Sequence, residues 1–198
     1  MRVVLTGFMG TGKTAVGQRV AERLGRTFVD TDALVERRAG RAVREIFATD
    51  GEAAFRDRER EAVAEACSLG DVVVATGGGA LVDERNFARL ADGGFMVCLT
   101  AAPEAIARRV RATAADRPLL GGRAGLTARI RELLAARAPV YARIGFAVDT
   151  TGRTVDQVAD DVIAALSAAE RAGRPAGRTA TSGDGGGGRR PTGKAAVR

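Results

Sequence analysis

Gly7-Phe8-Met9-Gly10-Thr11-Gly12-Lys13-Thr14 decides how this chain is read. It fits G-x-x-x-x-G-K-[ST], the phosphate-binding P-loop. Val3-Val4-Leu5 precedes it and reads as a strand; Ala15 to Leu24 follows and reads as a helix. Strand, glycine-rich loop and helix are the context the motif requires. Glycines let the backbone turn several N–H groups toward one anion, and the helix N-terminus adds the positive end of its dipole. In that geometry Lys13 reaches the β- and γ-phosphates and the Thr14 hydroxyl ligates Mg2+. The bland alternative is a plain turn in a chain that has 26 glycines. The lysine argues against it. Of 31 basic residues only Lys13 and Lys194 are lysines, so the one in the P-loop stands where a compact ammonium fits and a planar guanidinium does not.

Working outward, 198 residues suit one domain with a sizeable core. No apolar run reaches the ~18 residues of a membrane span. Met1-Arg2-Val3 leads straight into the first strand, which leaves no room for a cleavable signal peptide. Cys67 and Cys98 stand alone, and histidine is absent, which removes His-based catalysis and most zinc sites. A reducing cytoplasm is the expected setting. The net charge of +7 invites a nucleic-acid partner, but its location does not. Arg171, Arg174, Arg178, Arg189, Arg190, Lys194 and Arg198 face Asp184 alone, so nearly all the excess charge lies in the C-terminal stretch. Residues 171–198, rich in Gly and Arg, are expected to form a disordered basic tail behind a domain spanning 1–170.

Within that domain, Thr27 to Asp32 reads as a second strand ending in two carboxylates. Asp30 and Asp32, two apart, would share a face if the strand runs that far. Helices are expected from Ala33 to Arg38, over Val43–Phe47 and from Glu52 to Cys67. Asp71 to Thr76, a nearly continuous apolar run into Gly77-Gly78-Gly79, has the character of a buried parallel strand. Phe95–Leu99 and Phe146–Asp149 read as further strands. Pro103–Arg111 and Leu126–Ala138 read as helices, the second closed by Pro139, and an amphipathic helix spans Val155–Ala169. Residues 112–124, with glycines and little periodicity, read as a mobile lid. Alternating strands and helices imply an α/β fold: a five-stranded parallel sheet covered on both faces, with ligands at the strands' carboxyl ends.

With the P-loop, several motifs carry a resemblance: Asp30-Thr31-Asp32, Phe47 to Glu52 with Phe55-Arg56 and Glu59, Thr76 to Ala80, Arg117-Pro118-Leu119-Leu120, and Arg137-Ala138-Pro139-Val140-Tyr141. In this order the chain resembles the shikimate kinases, a branch of the nucleoside-monophosphate-kinase-like P-loop fold, over about residues 2–168. The resemblance implies ATP-dependent phosphorylation of the shikimate 3-hydroxyl, giving shikimate 3-phosphate and ADP on the route to chorismate and aromatic amino acids. It implies that Gly10, Thr11, Gly12, Lys13, Thr14 and Ala15 bind ATP phosphates, and that Thr14 and Asp30 serve Mg2+. Asp32 would orient the attacking hydroxyl. Arg56 and Arg137 would clamp the substrate carboxylate, and the backbone N–H groups of Gly77, Gly78 and Gly79 would line the acceptor pocket. Arg117 would come from the lid to the transferring phosphate, and Arg153 would flank adenine, together with one of Arg108, Arg109 and Arg111. Shikimate and ATP are the implied partners, with neither nucleic acid nor membrane, and the protein is expected to be a monomer. Singly, Arg56 and Arg137 are two arginines among many; only the motifs select them.

Two other classes compete. A gluconate or adenylate kinase relative shares the P-loop, but Phe55-Arg56 and the glycine triplet favour shikimate. A nucleotide-regulated switch or nucleic-acid-binding NTPase lacks support: no Asn-Lys-x-Asp occurs, and Val72–Val74 is not followed by a Walker-B acid.

Overall fold

The computed structural model describes residues 1–111, 120 and 125–173. Arg117, nearly all of the expected lid and all but the first residues of the expected tail lie outside them. Five strands form one sheet: β1 (Arg2–Gly7), β2 (Thr27–Asp30), β3 (Val72–Ala75), β4 (Gly94–Thr100) and β5 (Ala147–Asp149). Their order is β2-β3-β1-β4-β5 and every pairing is parallel. Eight helices accompany them among the described residues: α1 (Lys13–Leu24), α2 (Thr31–Ala39), α3 (Val43–Thr49), α4 (Gly51–Ser68), α5 (Glu84–Ala91), α6 (Pro103–Val110), α7 (Leu126–Tyr141) and α8 (Val155–Arg171).

The pleat sorts the core. Along β1, Val3 and Leu5 point to one side and pack with Val73, Val97 and Leu99 against α1 and α8. Val4 points the other way and joins Val74, Cys98 and the apolar sides of α2, α4 and α5. Both faces of the sheet are thus covered, and β1 reads as an unbroken buried run for that reason. The contacts of α8 recur every fourth residue, at Val158, Val162 and Leu166. Its start is fixed by a capping box, in which Gln157 N–H donates to Thr154 Oγ1 and Thr154 N–H to Gln157 Oε1. Each such fully buried aliphatic side chain stabilises the fold by about 1.5–3 kcal/mol. A third cluster, Phe8, Ile106, Val110, Leu120, Leu126 and Ile130, joins the P-loop to α6 and α7.

Three local expectations are corrected. First, β2 ends at Asp30, whose carboxylate caps α2, so Asp32 lies in the first helical turn and not on a strand face shared with Asp30. Second, Pro139 does not close α7, which runs on to Tyr141. Proline lacks an N–H and costs most in a helix interior; here it stands in the last turn, where little helix remains to disturb. Third, the sequence reading passed over α5 and the 3₁₀ turn Ala80–Val82. In addition, α8 ends at Arg171, one residue past the expected domain boundary.

Candidate active site

The phosphate side is built at the end of β1. Gly10 at φ 78° and Gly12 at φ 95° hold left-handed backbone that side-chain-bearing residues rarely adopt, which shapes the loop before α1. Thr11 Oγ1 donates to the Phe8 carbonyl at 2.7 Å and stiffens the loop from within. Lys13 Nζ donates to the carbonyls of Gly7 and Phe8, each at 2.9 Å, so the ammonium is held at the loop it serves. Thr14 Oγ1 donates to Asp30 Oδ2 at 2.8 Å. The other Asp30 oxygen accepts from the N–H groups of Asp32 and Ala33. Thr14 and Asp30 therefore present hard oxygen donors side by side. Among the described residues no group of three or more acids, cysteines or histidines is arranged to hold a metal ion by itself. A hydroxyl and one carboxylate, with water and phosphate oxygens completing the shell, is a donor set that fits Mg2+.

The acceptor side forms where β2 and β3 end, beside the P-loop. Glu59 is 1% exposed and accepts from Arg56 Nη1 at 2.8 Å, while Arg56 Nη2 meets Glu52 at 2.9 Å. The Arg56 guanidinium also stands 5.2 Å from the Phe55 ring centroid. Arg137, 7% exposed, lies 5.2 Å from the centroid of Phe8 and donates to the Gly78 carbonyl at 3.0 Å. Tyr141 Oη donates to the same carbonyl at 2.8 Å.

Gly77 is the packing centre. A methyl group there would lie 2.6 Å from Asp32 Oδ1 and 2.7 Å from Glu59 Oε1, so the two carboxylates close on its Cα from different helices. Neither oxygen has a hydrogen-bond partner among the described residues. Burial, then the charges of Asp30 and Glu59, push the Asp32 carboxyl up to about 7, with Lys13 opposing. Burial also pushes Glu59 up, and the Arg56 charge pulls against it. A methyl at Gly78 would lie 3.2 Å from Met9 N, and one at Gly79 would lie 3.1 Å from both terminal nitrogens of Arg56. The triplet is glycine because backbone must pass between the P-loop and the charged groups.

The structure thus brings together Lys13, Thr14, Asp30, Asp32, Arg56, Arg137 and Gly77–Gly79. It separates the glycine triplet by role: Gly77 N–H is committed to Thr31 Oγ1 at 3.0 Å. Among the described residues no acceptor meets the N–H of Gly78 or Gly79. Arg153 lies just past β5, and its guanidinium is held by Asp161 at 2.7 Å and the Gln157 carbonyl at 3.1 Å. Arg109 makes the link between that segment and the P-loop. It donates to the Gly10 carbonyl at 3.2 Å and to Thr150 Oγ1 and carbonyl at 2.9 and 2.6 Å. Sequence reasoning gave no role to Glu59. Its signal was available: it falls on the buried stripe of α4 with Phe55, Ala62, Val63 and Ala66, and an acid on such a stripe needs a partner.

Comparison with known proteins agrees with this geometry. The shikimate kinase family model matches residues 9–167. A shikimate kinase of Caldanaerobacter subterraneus subsp. tengcongensis is 46% identical over 163 residues, 82% of this chain and 94% of that protein. One from Symbiobacterium thermophilum is 46% identical over 168 residues, 84% of this chain and 96% of that protein. The structure of Acinetobacter baumannii shikimate kinase in complex with shikimate superposes with a TM-score of 0.80 at 33% identity, covering 84% of this chain and 93% of that one. The match of the family model over most of the chain, together with these relatives, shows that the chain belongs to the shikimate kinase family.

Proposed function

We propose that Lys13, Asp32 and Arg117 carry the chemistry as the chain moves the γ-phosphoryl group of ATP to the 3-hydroxyl of shikimate. Arg56, Arg137 and the backbone of Gly77–Gly79 hold the acceptor. Gly10, Thr11, Gly12, Thr14 and Ala15 take the ATP phosphates, and Arg153 lies toward the base. Two guanidiniums suit a carboxylate because each offers a planar fork of donors. Asp32 meets the ring hydroxyls and turns one of them toward the phosphate. Phosphoryl transfer has a loose transition state, so alignment and charge matter more than a strong base. As the new O–P bond forms, the bond from the γ-phosphorus to the β,γ-bridging oxygen breaks and ADP leaves, while the hydroxyl proton passes to Asp32, whose carboxyl burial pushes up to about 7. Lys13 exchanges the carbonyls of Gly7 and Phe8 for phosphate oxygens. Thr14 and Asp30 would hold Mg2+, which would supply neutralisation of phosphate charge. Arg117 meets the moving group. The protein works as a cytoplasmic monomer without nucleic acid; among the described residues no helix is long and apolar enough to cross a membrane.

The observation that carries this reading is the convergence at Gly77. Asp32 and Glu59 close on its Cα, Arg56 is paired with Glu59, and the next glycine packs on the P-loop backbone at Met9. This convergence supports an acceptor hydroxyl at Asp32 beside the phosphate loop and an acceptor carboxylate beside the arginines. An ADP-release assay with shikimate, gluconate and nucleoside monophosphates tests it. Turnover is expected with shikimate alone and is lost in Lys13→Ala. Faster turnover of gluconate or a nucleoside monophosphate overturns the reading.

A further inference from the structure

Tyr141 is the one tyrosine of the chain, and it has no part in the scheme above. It sits four residues after Arg137 on α7, so both side chains leave the same helix face. They converge on a single atom, the Gly78 carbonyl oxygen, with Arg137 Nη1 at 3.0 Å and Tyr141 Oη at 2.8 Å. Both lone pairs of that oxygen are thereby engaged. The other end of the same peptide group is the N–H of Gly79. In a trans peptide C=O and N–H point in opposite directions, so fixing the carbonyl fixes the aim of the N–H. A cation and a hydroxyl on the carbonyl also polarise the peptide and make its N–H a stronger donor.

The rest of the triplet does not share this arrangement. Gly77 N–H is spent on Thr31, the Gly77 carbonyl takes Ala80 N–H, and the Gly79 carbonyl takes Val82 N–H. The Gly79 N–H meets no acceptor among the described residues, and a methyl on its Cα would be 3.1 Å from the Arg56 guanidinium. The Arg56 guanidinium is thus packed against the residue that carries this N–H. Burial keeps Tyr141 protonated, pushed up to about 12, so it remains a donor throughout the working pH range.

We infer that Tyr141 is a positioning residue of the acceptor site: with Arg137 it clamps the Gly78 carbonyl so that the Gly79 N–H is aimed at an oxygen of the bound hydroxy acid. The inference rests on the acceptor pocket proposed above. It concerns affinity for the acceptor and leaves the ATP side alone, and that difference makes it testable. Tyr141→Phe keeps the ring and removes only the hydroxyl. Loss of one neutral hydrogen bond corresponds to about 3–10-fold in affinity, so the KM for shikimate should rise by that factor. The KM for ATP and kcat should stay within about twofold, a split that loosened packing of α7 would not produce.

A second measurement uses the native enzyme. With no tryptophan and one tyrosine, its ultraviolet emission comes from Tyr141. Titrating shikimate into wild-type protein should change that emission saturably, with the dissociation constant that calorimetry gives. If wild type binds no shikimate by calorimetry, the acceptor reading fails and this inference falls with it. If shikimate binds but the emission is unmoved, the inference alone is overturned. The same holds if Tyr141→Phe leaves the shikimate KM unchanged or shifts both KM values alike.

Discussion

Replacing Gly77 by alanine tests the centre of the site. The added methyl would stand 2.6 Å from Asp32 Oδ1 and 2.7 Å from Glu59 Oε1, inside the 3.0 Å limit that real Cβ contacts respect. Neither oxygen can yield freely. Asp32 is in the first turn of α2, whose start is pinned by Asp30, and Glu59 is tied to Arg56. Overpacking of this kind costs about 1–3 kcal/mol, which for a domain of this size lowers Tm by roughly 2–10 °C. On the role proposed for Asp32 the catalytic cost is larger, because the displaced oxygen would be the one that orients the acceptor hydroxyl. A misplacement of about 1 Å at a reacting centre can cost ~100-fold. We expect Gly77→Ala to lower kcat at least ~100-fold in a coupled ADP assay, with Tm followed by thermal shift. Gly79→Ala is the internal comparison. Its methyl would lie 3.1 Å from the Arg56 terminal nitrogens, a milder approach that a shift of a few tenths of an ångström relieves, so the shikimate KM should rise about 3–10-fold with kcat nearly unchanged. A Gly77→Ala enzyme with kcat within threefold of wild type, or a more damaging Gly79→Ala, would refute the packing argument.

Three further outcomes are expected. Arg56→Ala should weaken shikimate binding ~10–100-fold by calorimetry without changing ATP affinity, and should lower Tm because Glu59 is left buried without its cation; adding Glu59→Gln should restore Tm but not affinity, and recovery of neither denies the pair. The Asp32 carboxyl is raised from 3.8 to about 7, so between those pH values the unfolded chain ionises while the fold keeps its proton, and stability from this group falls as pH climbs through that window and is flat above it. In Mg2+-free buffer the Tm advantage of Asp32→Asn over wild type should therefore grow from pH 5 to pH 8, and a constant or reversed difference would contradict the burial. Arg117→Ala should lower kcat at least ~100-fold with little change in shikimate affinity; a kcat within threefold of wild type would leave that residue outside the chemistry.

The P-loop was legible because its requirements are local: left-handed glycines, one lysine and a helix start all lie within eight consecutive positions. The five strands were legible as apolar runs, but their order was not, since β3 enters between β1 and β2 and only tertiary packing decides that. Asp32 shows where pattern reasoning stops. Its spacing from Asp30 matched a strand, yet Asp30 caps a helix with the same carboxylate that meets Thr14, and one side chain's hydrogen bonds moved the boundary by two residues. The commitment of Gly77 N–H to Thr31, across 46 positions, left no trace in either segment alone. Arg56 and Arg137 could be named only through motif order, because an arginine-rich chain gives no local reason to prefer them.

The charges around the acceptor site also constrain what can enter it. Arg56 is matched by the buried Glu59, while Arg137 meets a backbone carbonyl and the face of Phe8, neither of which carries a full negative charge. Glu59 feels Arg137 as well as Arg56, so one buried carboxylate serves two cations. Asp32, pushed up to about 7, adds only a partial charge near neutral pH. Arg56 has carboxylate partners in Glu59 and Glu52, while Arg137 has no carboxylate hydrogen-bonded to it among the described residues. A neutral polyol would leave Arg137 without an anionic partner, at the cost that accompanies a buried charge held only by neutral groups. A phosphate dianion would bring a second charge toward Asp32 and Glu59, where the oxygens facing Gly77 already lack donors. On the proposed acceptor site, a monocarboxylate would give Arg137 an anionic partner, and its hydroxyls would supply donors to those oxygens. On this proposal acceptor choice rests on the pairing of Arg137 beside a glycine backbone that packs on the phosphate loop at Met9.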